Sequence, residues 1–175
     1  FGSTFERDAL LHQVLEALTH ELNYNSAMVS IFDPCENTIQ HIRLIGAPPE
    51  VETFAQSCRF PITDREGPEG TVVLQGRPLL VKDIESIRHS LHPLNQRLAE
   101  LSGTKALVVV PIKTKDRIWG MLTVDRSHNQ SVTEDDLELM MTVASQVSIA
   151  LDNASAYQQI EEWNQGLEVK VKERT

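Results

Sequence analysis

The chain has 175 residues, 41% of them hydrophobic, which supplies one proper core and no second one. A formal charge of −9 without a clustered basic patch excludes nucleic acid as a partner, because neutralisation of phosphates by Lys and Arg dominates such binding. No apolar run approaches the ~20 residues of a membrane span, so no membrane contact is expected. The two cysteines, Cys35 and Cys58, form no disulfide framework and favour a reducing, cytoplasmic compartment.

In chain order, Ser3-Thr4-Phe5-Glu6 has the pattern of a helix-opening capping box, and Leu11, Val14, Leu15, Leu18 and Leu22 follow on one helical face. Residues 26–32 then switch to a strand, Asp33-Pro34-Cys35-Glu36-Asn37 supplies turn chemistry, and 38–45 forms the second arm of a β-hairpin. From Gly46 to Gly103 prolines and glycines break the pattern into short pieces. Helices are predicted at 51–57 and 93–102, short strands at 60–62 and 79–81, and a helical turn near Gly67. A loosely patterned stretch of this length inside one domain is expected to form a lid or a binding wall.

Regularity returns at 106–112, apolar at successive positions and therefore expected to be buried on both faces, with Pro111 marking its end or a bulge. A polar turn leads into a last strand, 118–125. From Thr133 onward one long helix is predicted, capped by Thr133 with Glu134, Asp135 and Asp136 at the positive end of its dipole. Extended to Thr175 it would be about 60 Å long, more than a domain of this size needs to cover its core.

That helix carries two stripes. Leu137, Met140, Met141, Ala144, Val147 and Leu151 gather on one face for burial. Leu139, Val143, Ala150 and Tyr157 lie beside them and continue on a seven-residue repeat through Ile160, Asn164, Leu167 and Val171, the pattern of a parallel coiled-coil homodimer. The expected division is a sensory domain over residues 1–156 and the start of a signalling coiled coil over 157–175. A chain that begins at Phe1 and stops within a helical pattern is expected to be a piece of a longer protein, whose other parts hold the effector and any membrane anchor.

Three stretches, taken in order and spacing, resemble the GAF domain family. They are Gly67-Pro68-Glu69-Gly70-Thr71 through Asp83-Ile84, Val110-Pro111-Ile112 through Gly120-Met121-Leu122-Thr123-Val124-Asp125-Arg126, and Thr133-Glu134-Asp135-Asp136-Leu137 through Asp152-Asn153-Ala154. The resemblance implies an α+β sandwich. Its central antiparallel sheet has five or six strands, with the N- and C-terminal helices on one face and irregular helices and loops forming a pocket on the other. It also implies a dimer through the terminal helices and an effector downstream, which the tail Leu167-Glu168-Val169-Lys170-Val171-Lys172-Glu173-Arg174-Thr175 makes a histidine kinase by its likeness to kinase linkers.

Candidate chemistry is sparse. His20-Glu21-Leu22 superficially resembles a phosphoacceptor box but lacks the Arg-Thr-Pro continuation. His89 and His92, with Cys58 or Asp83, lack a compelling third metal ligand. The Cys beside a His that bilin-binding members use is absent, since Leu91 and Pro93 flank His92. The Asn-Lys-Phe-Asp-Glu signature of cyclic-nucleotide binders is absent too, and Gly67-Pro68-Glu69-Gly70 reads as a tight turn rather than an anion cradle.

No residue set selects a cofactor, and no catalytic or metal site is expected. An unidentified small molecule is expected in a mostly apolar cavity, with Arg59, Arg65, Asp83, His89, His92, Asn95, Arg97, Thr123 and Asp125 as candidate polar contacts. Two alternatives stand beside this sensor. One is a ligand-free dimerisation spacer packed solid by Phe60, Leu79, Leu91 and Leu94; the other is a methionine sulfoxide reductase-like enzyme using Cys35 or Cys58 in a pocket.

Overall fold

Alternation along the strands decides which side of the sheet each residue serves. The computed structural model describes residues 2–127 and 130–153. In β1 (Ser26–Asp33), Ala27 and Val29 enter one core, while Met28 and Phe32 enter cores on the opposite side. The same split separates Val108 and Val110 from Leu107 and Val109 in β5 (Thr104–Lys113), and Leu122 and Val124 from Met121 in β6 (Ile118–Ser127).

With β2 (Thr38–Ile45), β3 (Arg59–Pro61) and β4 (Leu79–Val81), these strands form one six-stranded antiparallel sheet in the order β3-β2-β1-β6-β5-β4. β5 is buried on both faces, as its unbroken apolar run predicts, and lies between β6 and β4. Pro111 does not end it. That residue pairs with Met121 beyond the last β4 pair, Leu79 with Val109, so no third strand needs its missing N–H; the irregularity falls at Ile112/Lys113. Gly120 faces Ile31 across the β1–β6 ladder, where a Cβ would stand 1.9 Å from the Ser30 carbonyl oxygen, so only glycine fits.

Both terminal helices cover one face. Helix α1 (Gly2–Glu16) supplies Leu11 and Leu15, and a π-helical turn, Ala17–Glu21, supplies Leu18. Gly2 is already helical, so Ser3 lies inside the helix and not at its cap as the sequence predicted. The C-terminal helix, α5, is helical through the described residues 134–153 and buries Met140, Ala144, Val147 and Leu151 against the same core. Its start is the predicted Thr133 cap, which Asp136 closes into a reciprocal box. The Asp136 N–H donates to Thr133 Oγ1 at 3.4 Å, and the Thr133 N–H donates back to Asp136 Oδ2 at 2.7 Å. The division at residue 156 and the stripe residues Tyr157, Ile160, Asn164, Leu167 and Val171 lie outside the described residues.

The other face is roofed by the irregular middle of the chain. Helices α2 (Pro49–Ser57) and α4 (Pro93–Ser102) each begin on a proline whose missing N–H would have no partner there anyway. Between them lie α3 (Pro68–Val73) and 3₁₀ turns at Ile84–Ser86 and Arg88–Ser90. Gly70 in α3 sits under the preceding loop, where a Cβ would stand 2.2 Å from the Asp64 carbonyl oxygen. The glycine run is thus a tight passage of backbone, as its turn reading predicts.

Candidate functional site

The three middle strands make the floor of a cavity. Cross-strand register places Ser26, Asp125 and Leu107 in one row and Met28, Thr123 and Val109 in the next. Above them, Pro68 and Glu69 of α3 and Asn95, Leu98 and Ala99 of α4 close the roof over a space of about 90 Å³. The wall is mostly apolar, with a few polar groups set into it, which is the usual make-up of a small-molecule site.

The rows explain how each polar group behaves. Asp125 is 5% exposed and is held by its row partner and by Thr104 of the adjoining strand. The Ser26 N–H donates to Oδ1 at 2.8 Å, the Ser26 hydroxyl donates to Oδ1 at 2.5 Å, and the Thr104 hydroxyl donates to Oδ2 at 2.6 Å. Burial nevertheless pushes its carboxyl above the ordinary value against the pull of these bonds, since no cation stands beside it to offset desolvation. Thr123 has only Met28 and Val109 for row neighbours, and its buried hydroxyl has no hydrogen-bond partner among the described residues.

A buried polar chain runs from the sheet to the roof. The Ser30 hydroxyl donates to His41 Nδ1 at 2.7 Å, and His41 Nε2 donates to Asn95 Oδ1 at 2.7 Å. Asn95 Nδ2 donates to Glu69 Oε1 at 2.9 Å, where the His92 N–H also donates at 2.8 Å. The Asn95 amide, anchored by Glu69 on its donor side, requires the neutral His41 tautomer protonated on Nε2. Burial, with a smaller push from His92, pulls His41 down from 6.5 to about 4, although the Asn95 bond opposes the fall. Phe60 packs edge-on to His41 and stacks on the His92 ring at 4.0 Å.

Of the nine candidate contacts, Asn95, Thr123 and Asp125 line this cavity. His92 lines a second, more polar hollow of about 190 Å³ beside it with Phe60, and its Nδ1 accepts from the Leu94 N–H, so it serves as a helix cap. The other five lie elsewhere, on the surface. Arg59 pairs with Glu36, Arg97 lies 3.5 Å from Glu100, and Asp83 caps the 3₁₀ turn through the Glu85 N–H. Arg65 and His89 are exposed.

Sequence reasoning missed Ser26, Glu69, Thr104 and His41. His41 was legible, because alternation from Ile39 puts it on the cavity face of β2; for Glu69 there was no signal, since an acid in a first helical turn ordinarily faces water.

The remaining readings of the sequence also find their places. Neither thiol lines the cavity: Cys35 is exposed in the hairpin turn, and the buried Cys58 donates to the Phe54 carbonyl, so the thiol relay lacks the pocket it requires. Among the described residues no three His, Cys, Asp or Glu side chains converge as a metal site needs. His20 is exposed in the π-helical turn. Leu79 and Leu91, which would pack a ligand-free spacer solid, instead line open space. No described helix is long and apolar enough to cross a membrane.

β6 joins this site to the opposite face. Arg126, next to Asp125, points away from the cavity, covers the Tyr24 ring at 4.5 Å and donates to the Asn23 carbonyl at 3.1 Å. It also approaches Asp136 at 3.8 Å, and the Tyr24 hydroxyl donates to the same Asp136 Oδ1 at 2.6 Å. Burial opposes ionisation of Asp136, but the bonds from Tyr24 and Thr133 and the Arg126 charge outweigh it and hold the carboxyl below its ordinary value. Burial, and then the bond to Asp136, pushes the Tyr24 phenol up. One residue of β6 thus floors the cavity and the next grips the start of α5.

A six-stranded antiparallel sheet with terminal helices on one face and short helices over a cavity on the other defines an α+β sandwich of the sensory-domain type. The chain belongs to the GAF domain family, whose model matches residues 6–151. It is 26% identical over 161 residues to the circadian input-output histidine kinase CikA of Synechococcus elongatus, covering 90% of this chain and 18% of that protein. CikA of Thermosynechococcus vestitus is 28% identical over 102 residues, with 58% and 14% covered. The chain therefore spans less than a fifth of the length of these relatives.

Among solved structures, the blue-light absorbing form of the Thermosynechococcus elongatus PixJ GAF-domain superposes with a TM-score of 0.73 at 17% identity, over 93% of this chain and 94% of that one. The second GAF domain of DevS from Mycobacterium smegmatis gives 0.67 at 16% identity, over 88% and 99%. These likenesses fix the fold. The chain is a GAF sensory domain of the kind that signalling proteins carry.

Proposed function

We propose that this domain binds a small molecule in the cavity between sheet and roof and passes its state through α5 to an effector of the histidine kinase type in a cytoplasmic part of the protein. The observation that carries this reading is the adjacency of Asp125 and Arg126. A ligand touching the first changes the backbone that positions the second, and Arg126 with Tyr24 and Asp136 sets where α5 begins. The effect is bounded by the ligand's difference in affinity for the two arrangements of the helix. The histidine kinases among the relatives support the choice of effector.

Occupancy is tested by thermal denaturation with a metabolite panel, using Ala99→Leu as control because Ala99 lines the cavity. Molecules that raise the midpoint of the native chain and not of the filled variant are expected; a panel containing none contradicts the sensor.

Dimerisation belongs to the same reading. Leu139 is 37% exposed on α5, Val143 and Ala150 are half-buried, and Ile149, 53% exposed, widens the apolar face that the sequence stripe defined. Paired copies of the helix would cover these residues and continue through Tyr157, Ile160, Asn164, Leu167 and Val171. Ile160→Asp combined with Leu167→Asp is expected to shift sedimentation toward the monomer by weakening association about tenfold or more, and an unchanged profile would remove the coiled coil.

A further inference from the structure

The cavity wall holds two carboxylates, Asp125 and Glu69, and no Lys, Arg or His. An anionic ligand placed there would meet like charge with nothing to offset its own desolvation. Acceptors also outnumber donors. A carboxylate offers about four lone-pair sites, and Asp125 receives three hydrogen bonds, two on Oδ1 and one on Oδ2. Glu69 receives two on Oε1, and among the described residues no donor reaches its Oε2. The Thr123 hydroxyl, unpartnered, is the remaining polar group on the floor. Asn95, bonded to Glu69, and Ser102 are the polar side chains that α4 adds, and the remaining wall is largely hydrocarbon, including Leu79, Leu91, Leu98 and Leu107.

Resting on the reading that this cavity binds a small molecule, we infer that its ligand is a small organic cation, a protonated amine on a short apolar body. The ammonium supplies the three N–H donors that the free lone pairs of Asp125, Glu69 and Thr123 lack, and it supplies the positive charge that neither carboxylate has nearby. The apolar body lies against the leucines. A space of about 90 Å³ holds several times the volume one water needs and limits the body to a few carbons. Glu69 is the reporter of this chemistry, because its bonds to the His92 N–H and to Asn95 tie the charge of α3 to the first turn of α4.

The test titrates butylammonium, butan-1-ol and butanoate, three probes of one chain length, into the protein at pH 7 while following backbone amide NMR shifts of Met28, Leu107 and Thr123. Butylammonium is expected to perturb these amides at concentrations about tenfold lower than the alcohol, and butanoate to leave them unmoved. Glu69→Gln keeps an oxygen for the His92 and Asn95 donors, so it is expected to fold, to weaken butylammonium about tenfold and to leave the alcohol unchanged. If the alcohol or butanoate binds as well as butylammonium, or if Glu69→Gln leaves the ammonium affinity intact, the cationic class is overturned and a ligand-binding cavity remains. If none of the three moves these amides, both readings fall.

Discussion

His41→Ala is expected to lower the unfolding free energy by about 3 kcal/mol, because it empties the centre of a buried chain and strands the Ser30 hydroxyl and the Asn95 carbonyl without partners. The same residue makes stability depend on pH with a definite sign. Its folded value of about 4 lies below the 6.5 of the unfolded chain. Between those values the unfolded chain holds a proton that the native imidazole does not, so the contribution is complete above 6.5 and is lost as pH falls toward 4. The loss reaches roughly 3 kcal/mol. Urea unfolding at pH 7, 5.5 and 4.5 captures about 2 kcal/mol of it, and the His41→Ala profile is expected to be flatter by that amount; equal slopes would show that another group carries the dependence.

Asp136→Ala is expected to cost about 2 kcal/mol, since a single carboxylate closes the cap of α5, receives the Tyr24 hydroxyl and faces Arg126. The cap accounts for about half of this and the bond from the buried Tyr24 phenol for most of the rest. Here the sign follows a depressed acid. Its contribution is present above the usual carboxylate range and disappears as pH falls through the lowered folded value, below the window of His41. Tyr24→Phe is expected to remove only the share of the phenol bond, and denaturant unfolding of the two variants separates the terms.

Much of the architecture was legible because it follows from local periods. Alternation in β1, β5 and β6 set the two faces, Pro93 marked the start of α4, and Thr133 with Asp136 marked the start of α5, whereas α2 begins at Pro49, two residues before the predicted 51. The site was legible only in its floor. Thr123 and Asp125 share the cavity face of β6 by strand period, and Asn95 follows from the roof helix.

The charged candidates failed for a common reason. Arg59, Arg65, Asp83 and Arg97 were selected for their chemistry, yet on short elements of the roof nothing local distinguishes an inward position from an outward one. Glu69 failed in the opposite direction. Its burial is created by Asn95 and the His92 N–H, more than twenty positions away, and such pairings carry no period. The Arg126 joint was invisible likewise, because it needs Asn23 and Tyr24 of the loop before β1, the end of β6 and the start of α5 at once.

The central claim is that the cavity and the start of α5 communicate through β6. Amide hydrogen exchange at Asp136 and Leu137, followed in the native chain, in Ala99→Leu and in Ala99→Leu with Asp136→Ala, tests it most directly. Filling the cavity is expected to change exchange at these two amides several-fold, and the change is expected to vanish when the Asp136 joint is removed. A response confined to the cavity face, with the first turn of α5 unaltered, would contradict the account.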